Sequence, residues 1–591
     1  LYNNTVYNLE INNPANIILT GALNIINNIV SISGRLDALT GSPTITMTGS
    51  GPQSLNENTI LNNNIFNLAS SNSSGLTINS GFTIANNLSV NAGGKVIIAD
   101  PHLVTVTGNI SNNSGTGGLV LKSTVQGSDA KLINNTSPVP ATVELQLNGG
   151  DGSLGPAYHY FVPPVSSMAI DNTSVEATAS SLGLSSFGGD LLSYDETKAT
   201  TGREAGWQYF DGYNNTTPFN SLSSSRGYNI YLEAEDKITF AGNLNYADKT
   251  FTITFSEAFP YPGWNLIGNP FPCNFDLNGV GKLKGSDDGI DNTVYFTSDV
   301  GYAYWNVVTG GTTGYSDIVG PMQGFFVRAR ENTTVTFPAA SKTSLSALPL
   351  RAKGTADSRG ELSSALKKVK LSIRMNDKYD ETIVCLIGNA TNGFDGDYDA
   401  WKFQNSGAGI PSFFSCAGSE KYAINAVKGP VPGEEVTVPL AVTVKSAGTY
   451  TIATPEFENL TDTKVTLVHG TTETVLTGDK SYTFTTEAGT FTDFSLKFGQ
   501  KETVGIEEEP EEKHNIWYSD GFLYIKLPSD GLAKANRLSV YDLNGRISFE
   551  KSDIHVGAGE LHSILLSVRN GVYIVKMTVN GKVYTSKILV F

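Results

Sequence analysis

Three aspartates at alternate positions, Asp395, Asp397 and Asp399 in the stretch NATNGFDGDYDAWKF, are the residues of this chain best spaced for metal chemistry. Alternating carboxylates on a loop supply the hard oxygen ligands that calcium takes. An EF-hand would need glycine at the sixth position and glutamate at the twelfth, where this chain has Ala400 and Ser406. Calcium here therefore means an irregular loop site. The competing reading is a solvated turn whose carboxylates accept backbone N–H bonds. A second acidic loop, Asp287, Asp288 and Asp291, carries less of the pattern. No cofactor other than calcium is expected.

Catalytic signatures are absent. No G-x-S-x-G, H-E-x-x-H, C-x-x-C or Walker A pattern occurs, and the six histidines are dispersed along the chain. Paired glycosidase carboxylates converge only in space and leave no sequence trace. The expectation is a protein without an enzymatic activity and without catalytic residues. Trp264 and Trp305 read in two ways, as a sugar-stacking platform or as filling between two sheets, the second being the usual fate of tryptophan in such strands. Cys385, in the apolar run TIVCLI, reads as a small buried hydrophobe, with a Cys385–Cys416 bridge as the alternative and Cys273 apart from both.

The elements that would position these residues are β-strands. The chain has 591 residues and a formal net charge of −16, and only 16% of its residues are charged. Gly, Asn, Ser and Thr are abundant, which favours turn-rich β structure over long salt-bridged helices. The length suggests about three to five domains. No basic block exists to hold phosphates, so nucleic acid is not expected as a partner. No apolar stretch is long enough for a membrane-spanning helix. Leu1 opens without a leader sequence.

An internal repeat organises the front. Shifted by 59 residues, 6–49 aligns with 65–108 without a gap, with ten of 44 positions identical, among them Asn8/Asn67, Asn27/Asn86 and Gly49/Gly108. Apolar triplets such as LNI, FTI and LSV recur between Asn, Gly and Ser corners. A stacked β-solenoid fits best, with each unit making about two to three coils and Asn27/Asn86 stacking as a ladder. Duplicated hairpins in a sandwich are the alternative. Two units are few for such a stack and no cap is legible at Leu1, so the array is expected to have been cut from a longer one or to cap onto something absent.

From 141 to 345 the strands lengthen and become aromatic-rich, as in AYHYFVPPV, WQYFDGY, GYNIYL, GWNLIGNPFPCNFD and GPMQGFFVRARENTTVTF. A Ser/Ala/Lys/Gly-rich linker at 346–364 leads to a second set of alternating strands over 365–500. An acidic, extended linker at 501–514 carries Glu507–509, Pro510 and Glu511–512. Residues 515–591 then alternate in short strands around Asn-Gly turns. The predicted fold is all-β: N-terminal solenoid-like repeats at 1–140, consecutive β-sandwich domains, and a C-terminal Ig-like sandwich.

Residues 515–591 resemble the type A C-terminal sorting domain of the Bacteroidetes type IX secretion system. The resemblance lies in FLYIKL (522–527), the Tyr541-Asp542-Leu543-Asn544-Gly545-Arg546 turn, Gly571-Val572-Tyr573-Ile574-Val575-Lys576, and Asn580-Gly581 before Lys587-Ile588-Leu589, four elements in order against the terminus. The chain departs from the pattern in IWYSDG, where an Asn-Pro is usual, and in its Val590-Phe591 end. The 155–345 segments GWNLIGNP and QGFFV, and the stretch around 390–403, are similar to modules of other type IX cargo. The resemblance implies export through the periplasm and outer membrane to the cell surface. The partners it implies are the translocon, an outer-membrane shuttle barrel and a sortase. It also implies that shuttle recognition falls on Tyr541, Asp542, Gly545, Arg546, Gly571, Tyr573, Lys576, Gly581 and Lys587. An adhesin-like or structural surface protein follows, with a glycan or protein as ligand. The alternative is the C-terminal part of a larger exported enzyme or glycan-binding protein.

Overall fold

Strands of three residues with two inward apolar side chains each cannot form a sheet alone, but stacked coil upon coil they can. The computed structural model describes residues 2–125, 127–149, 158–185, 187–257, 261–283, 289–298, 301–345, 366–405, 409–501, 515–526, 534–555, 561–579 and 582–590. The 346–364 linker and the glutamate-rich 502–514 stretch lie outside them. The chain divides into two compact units, Leu1–Gln500 and Lys501–Phe591.

The front of the first unit is a parallel β-solenoid. Leu23, Ile45, Leu68, Leu88 and Ile110 occupy successive rungs of one six-stranded sheet, so a coil takes 20 to 23 residues. Each coil turns through three faces, and two further sheets carry Leu55, Ile78 and Ile98 on one side and Ile65, Ile84 and Val106 on the other. All of these side chains point into one continuous apolar core.

The 59-residue sequence repeat is not a whole number of coils. It spans about two and two-thirds of them, so Ile25 and its counterpart Ile84 lie on different sheets. What repeats is the side of the triangle and its corner. Gly34 and Gly93 take φ of 75° and 76°. A Cβ on Gly49 or Gly108 would meet a backbone oxygen at 2.2 or 2.3 Å. The expected Asn27/Asn86 ladder is corrected accordingly. Asn27 donates to Asn8 Oδ1 at 2.7 Å and Asn86 to Asn67 Oδ1 at 3.0 Å, each nineteen residues back on the preceding coil.

The solenoid's later end is closed by the middle of the chain. Pro140–Leu147, the last parallel rung of one face, pairs antiparallel with Asp236–Asn243. The expected domain boundary at 140/141 thus falls at the start of a solenoid strand. Leu132 N–H bonds the carbonyl of Pro272, and the half-buried Lys342 ammonium donates to the carbonyls of Asn134 and Tyr246. The middle region holds several small antiparallel sheets. It also holds the one α-helix of the described residues, Val175–Leu182, capped by the Ser174 hydroxyl and ended by left-handed Gly183.

Residues 366–500 form one continuous eleven-stranded sheet where two separate sheets were expected. It is antiparallel except where Lys378–Leu386 meets Glu420–Val427. Leu476 on one end strand and Phe484 on the other share a single apolar cluster, so the sheet folds over on itself.

The second unit has a three-stranded sheet, Asn515–Ser519, Phe522–Lys526 and Leu561–Leu565, and a four-stranded one. The four-stranded order is Ile547–His555, Lys534–Tyr541, Gly571–Val579, Lys582–Val590. Ile516, Leu523, Leu538, Val575 and Ile588, from both sheets, share one core.

Candidate functional site

Alternation builds an aromatic wall. Strands Tyr158–Phe161, Tyr228–Leu232, Phe187–Tyr194 and Trp207–Tyr209 pair antiparallel in that order. Tyr160 stands opposite Asn229, Asn229 opposite Leu192, Leu192 opposite Tyr209, and Tyr194 opposite Trp207. These residues therefore share one face of the sheet. The other face, with Phe161, Ile230, Leu191 and Tyr228, is buried in the core continuous with the solenoid.

The aromatic face fronts a cleft of about 930 Å³. The far walls come from Tyr261–Trp264 and Tyr302 in the middle region and from Trp401–Gln404 and Lys421 in the folded-over sheet. At the base, Tyr160, Tyr194, Trp264, Phe326 and Phe403 form a cluster that joins the two regions. Tyr194 meets Trp207 and Phe326 edge-on, at 5.1 and 5.0 Å between ring centroids. Burial pushes the phenols of Tyr160 and Tyr194 up, so both act as neutral hydroxyls. The Arg203 guanidinium lies over the rings of Phe403, Tyr261 and Trp264, at 4.3, 5.5 and 5.7 Å.

Two polar atoms in this wall have no protein partner. Asn229 is 6% exposed and its Oδ1 accepts no hydrogen bond, and the buried Nε1 of Trp401 donates none. Buried polar groups are ordinarily paired. Both side chains line the cleft, but these two atoms are themselves closed off from solvent, so the lining meets the cleft with other parts of the side chains.

The aspartate loop does different work. Asp399 is fully buried, its two carboxylate oxygens accepting N–H bonds from Asp395 and Ala426, both at 2.7 Å. Burial pushes its carboxyl up to about 7, the two N–H bonds pulling the other way. Asp395 Oδ1 accepts the Asp397 N–H at 3.1 Å. Asp397 pairs with Arg330, which also faces the buried Asp291 carboxylate, itself held by Arg328 at 3.2 Å. Asn292 and Asn306 both donate to the Asp397 carbonyl, and Thr293 to that of Asp399. A Cβ on Gly396 would come within 2.2 Å of Asp291 Oδ1, so only glycine allows this approach. The loop is a latch between 289–345 and 366–500.

A family model described as "Domain of unknown function (DUF8693)" matches residues 52–498. The chain belongs to that family. The DUF8693 match takes in most of the solenoid, the cleft and the latch, and stops short of the 515–591 tail. No curated protein matches the chain. A solved structure described as "Biofilm associated protein - BSP domain" is 11% identical over 76% of this chain and 95% of that one, with a TM-score of 0.11. At that score the two folds do not superpose, and the likeness carries no argument.

Within the DUF8693 region, the aspartates expected to bind calcium are engaged with backbone amides and arginine. Among the described residues no group of three His, Cys, Asp or Glu side chains is placed to hold a metal ion. The turn is not solvated either, because Asp399 is buried. Trp264 and Trp305 are 4% and 6% exposed and belong to apolar clusters, so they form no open platform. The cysteines are free, and no Cys385–Cys416 bridge forms. Cys385 is buried, its thiol pushed up to about 12.

In the tail, Asp542 shapes its turn by accepting the N–H groups of Asn544 and Arg546, both at 2.9 Å, with Gly545 at φ 78°. Tyr573 is buried and donates to the carbonyl of Arg569, four residues back, at 2.8 Å. Tyr541 and Lys587 both stand opposite Ile574, on the same face of the sheet, and Lys587, Lys576 and Arg546 are exposed. Gly571 begins its strand opposite Val590. Gly581 lies outside the described residues, as do Asp287, Asp288 and Ser406.

The cleft residues were legible only as alternation. Y-x-Y at 158–160, W-x-Y at 207–209 and L-x-Y at 192–194 announce one aromatic face, yet it is the opposite face, with the polar His159, Ser193 and Gln208 among its residues, that is buried. Which face stays open is decided by the solenoid packing behind.

Proposed function

We propose that the chain is a non-catalytic cell-surface protein, adhesin-like or structural, exported by a type IX system through residues 515–591. In this reading the tail is an Ig-like two-layer sandwich that the outer-membrane shuttle recognises, and a sortase then removes it. The observation that carries the reading is the tail's construction as a compact unit of its own, with the Tyr541–Arg546 turn displayed and the final strand Lys582–Val590 at a sheet edge. An edge strand with exposed Val583 and Leu589 suits docking by strand addition. The Tyr573–Arg569 bond is of the kind that fixes a corner in Ig-like sandwiches. Among the described residues no helix is long and apolar enough to cross a membrane. The solenoid then serves as spacer, and the 141–500 region as the part that meets a ligand.

Deleting residues 587–591 and fractionating the cells tests the export reading. Retention of the truncated protein in the periplasm is expected; surface display at the normal level would refute it.

A further inference from the structure

We propose that the aromatic cleft between the Tyr158–Tyr209 sheet face and the Trp401–Lys421 wall binds a neutral oligosaccharide. This rests on reading the chain as a binding protein rather than an enzyme, and it names the ligand that reading leaves open. The cleft's size, about 930 Å³, lies at the upper end of small-ligand pockets and holds several linked rings. A pyranose has C–H faces that stack on aromatic rings and a rim of hydroxyls that both donate and accept. The cleft offers both kinds of partner. Trp207, Tyr209 and Tyr302 are half-buried, with ring area facing the opening, and Tyr158 and Tyr261 are exposed at its mouth.

The exposed polar side chains of the lining, Glu204 and Gln404, call for donors and acceptors, and hydroxyls are both. A peptide that binds as an added strand needs a sheet edge, where main-chain groups are open. Here the wall is a sheet face whose main-chain groups are already paired, and only side chains meet the ligand.

Charge points to a neutral sugar. Arg328 is paired with Asp291 and Lys402 with Asp380, leaving Arg203 and Lys421 against Glu204 and Glu420 in the lining. With both signs equally represented, the cleft has no preference for an anionic chain.

The test uses the intact protein on an array of neutral and uronic-acid oligosaccharides, with a proline-rich peptide as a further arm. Calorimetry and tryptophan fluorescence follow on the sugars that bind. Binding to a neutral oligosaccharide is expected, weakened about tenfold in Trp207→Ala, the size of effect one stacked ring supports. Because Trp207 also packs against the cluster at the base, Glu204→Gln and Gln404→Ala on the exposed rim provide the second reading. Each should weaken binding severalfold with no change in the melting curve. Absence of neutral-sugar binding, binding confined to the uronic-acid or peptide arm, or binding unmoved by all three variants would overturn the proposal. Shortened sugars in the incubation would refute the non-catalytic reading while leaving the ligand class intact. Loss of export with binding preserved would bear on the tail alone.

Discussion

The guanidinium of Arg203 sits 4.3 Å from the ring centroid of Phe403, two hundred residues further along the chain. Arg203 comes from a short turn of the middle region and Phe403 from the folded-over sheet, so one side chain spans the base of the cleft. Arg203→Ala should destabilise the first unit by about 1–2 kcal/mol, the range of a partly desolvated cation–π contact. Arg203→Lys should recover only part, since an ammonium lacks the planar face that stacks. Urea unfolding followed by tryptophan fluorescence measures both.

Lys402 and Asp380 form a buried ion pair at 2.6 Å, with Asp380 also accepting the Phe413 N–H. Lys402→Met leaves a carboxylate stranded in the interior and should cost about 3–5 kcal/mol. The double variant with Asp380→Asn should be more stable than the single one. Equal stability of Lys402→Met and the parent protein in chemical denaturation would contradict the pairing.

Asp399 gives the latch a pH dependence of definite sign. Its carboxyl is raised from 3.8 to about 7 by burial, with Asp395 and Asp291 adding to the rise. Between those values the unfolded chain has released the proton and the folded chain keeps it, so stability falls as pH rises from about 4 to about 7. Asp399→Asn should flatten that slope in melting curves recorded across the range. It should also lower stability by about 1–3 kcal/mol, because a carboxamide cannot accept both N–H bonds.

Asn67 and Asn86 test the coil geometry. A double-alanine cycle should show coupling of about 1 kcal/mol between them, the net worth of one hydrogen bond. The same cycle on Asn27 and Asn86, aligned in the sequence repeat but on different corners, should show none.

The sequence discloses strands more readily than their company. Triplets such as Leu76–Ile78 declare an inward pair because the outward residue between them is polar. The three-faced coil stays hidden, since Ile25 and Ile84 are equivalent in shape without being stacked. The aspartate loop is legible as a turn, but its role depends on Asp291, which lies about a hundred residues earlier and reaches Gly396 only in the folded chain. The helix Val175–Leu182 is marked by Ser174 and Gly183, faint signs within a long β-rich stretch. The cleft is hidden for a simpler reason: alternation separates two faces, and only packing decides which one remains open.

The mismatch between the 59-residue repeat and the coil bears on how such a stack grows. One coil, about 22 residues, adds one strand spacing, about 4.8 Å, and leaves every face where it was. Copying a 59-residue block instead sets each duplicate's outward residues on a neighbouring face. A chain lengthened in such blocks would wind any surface feature around its axis like the treads of a spiral stair, offering it in turn to every side.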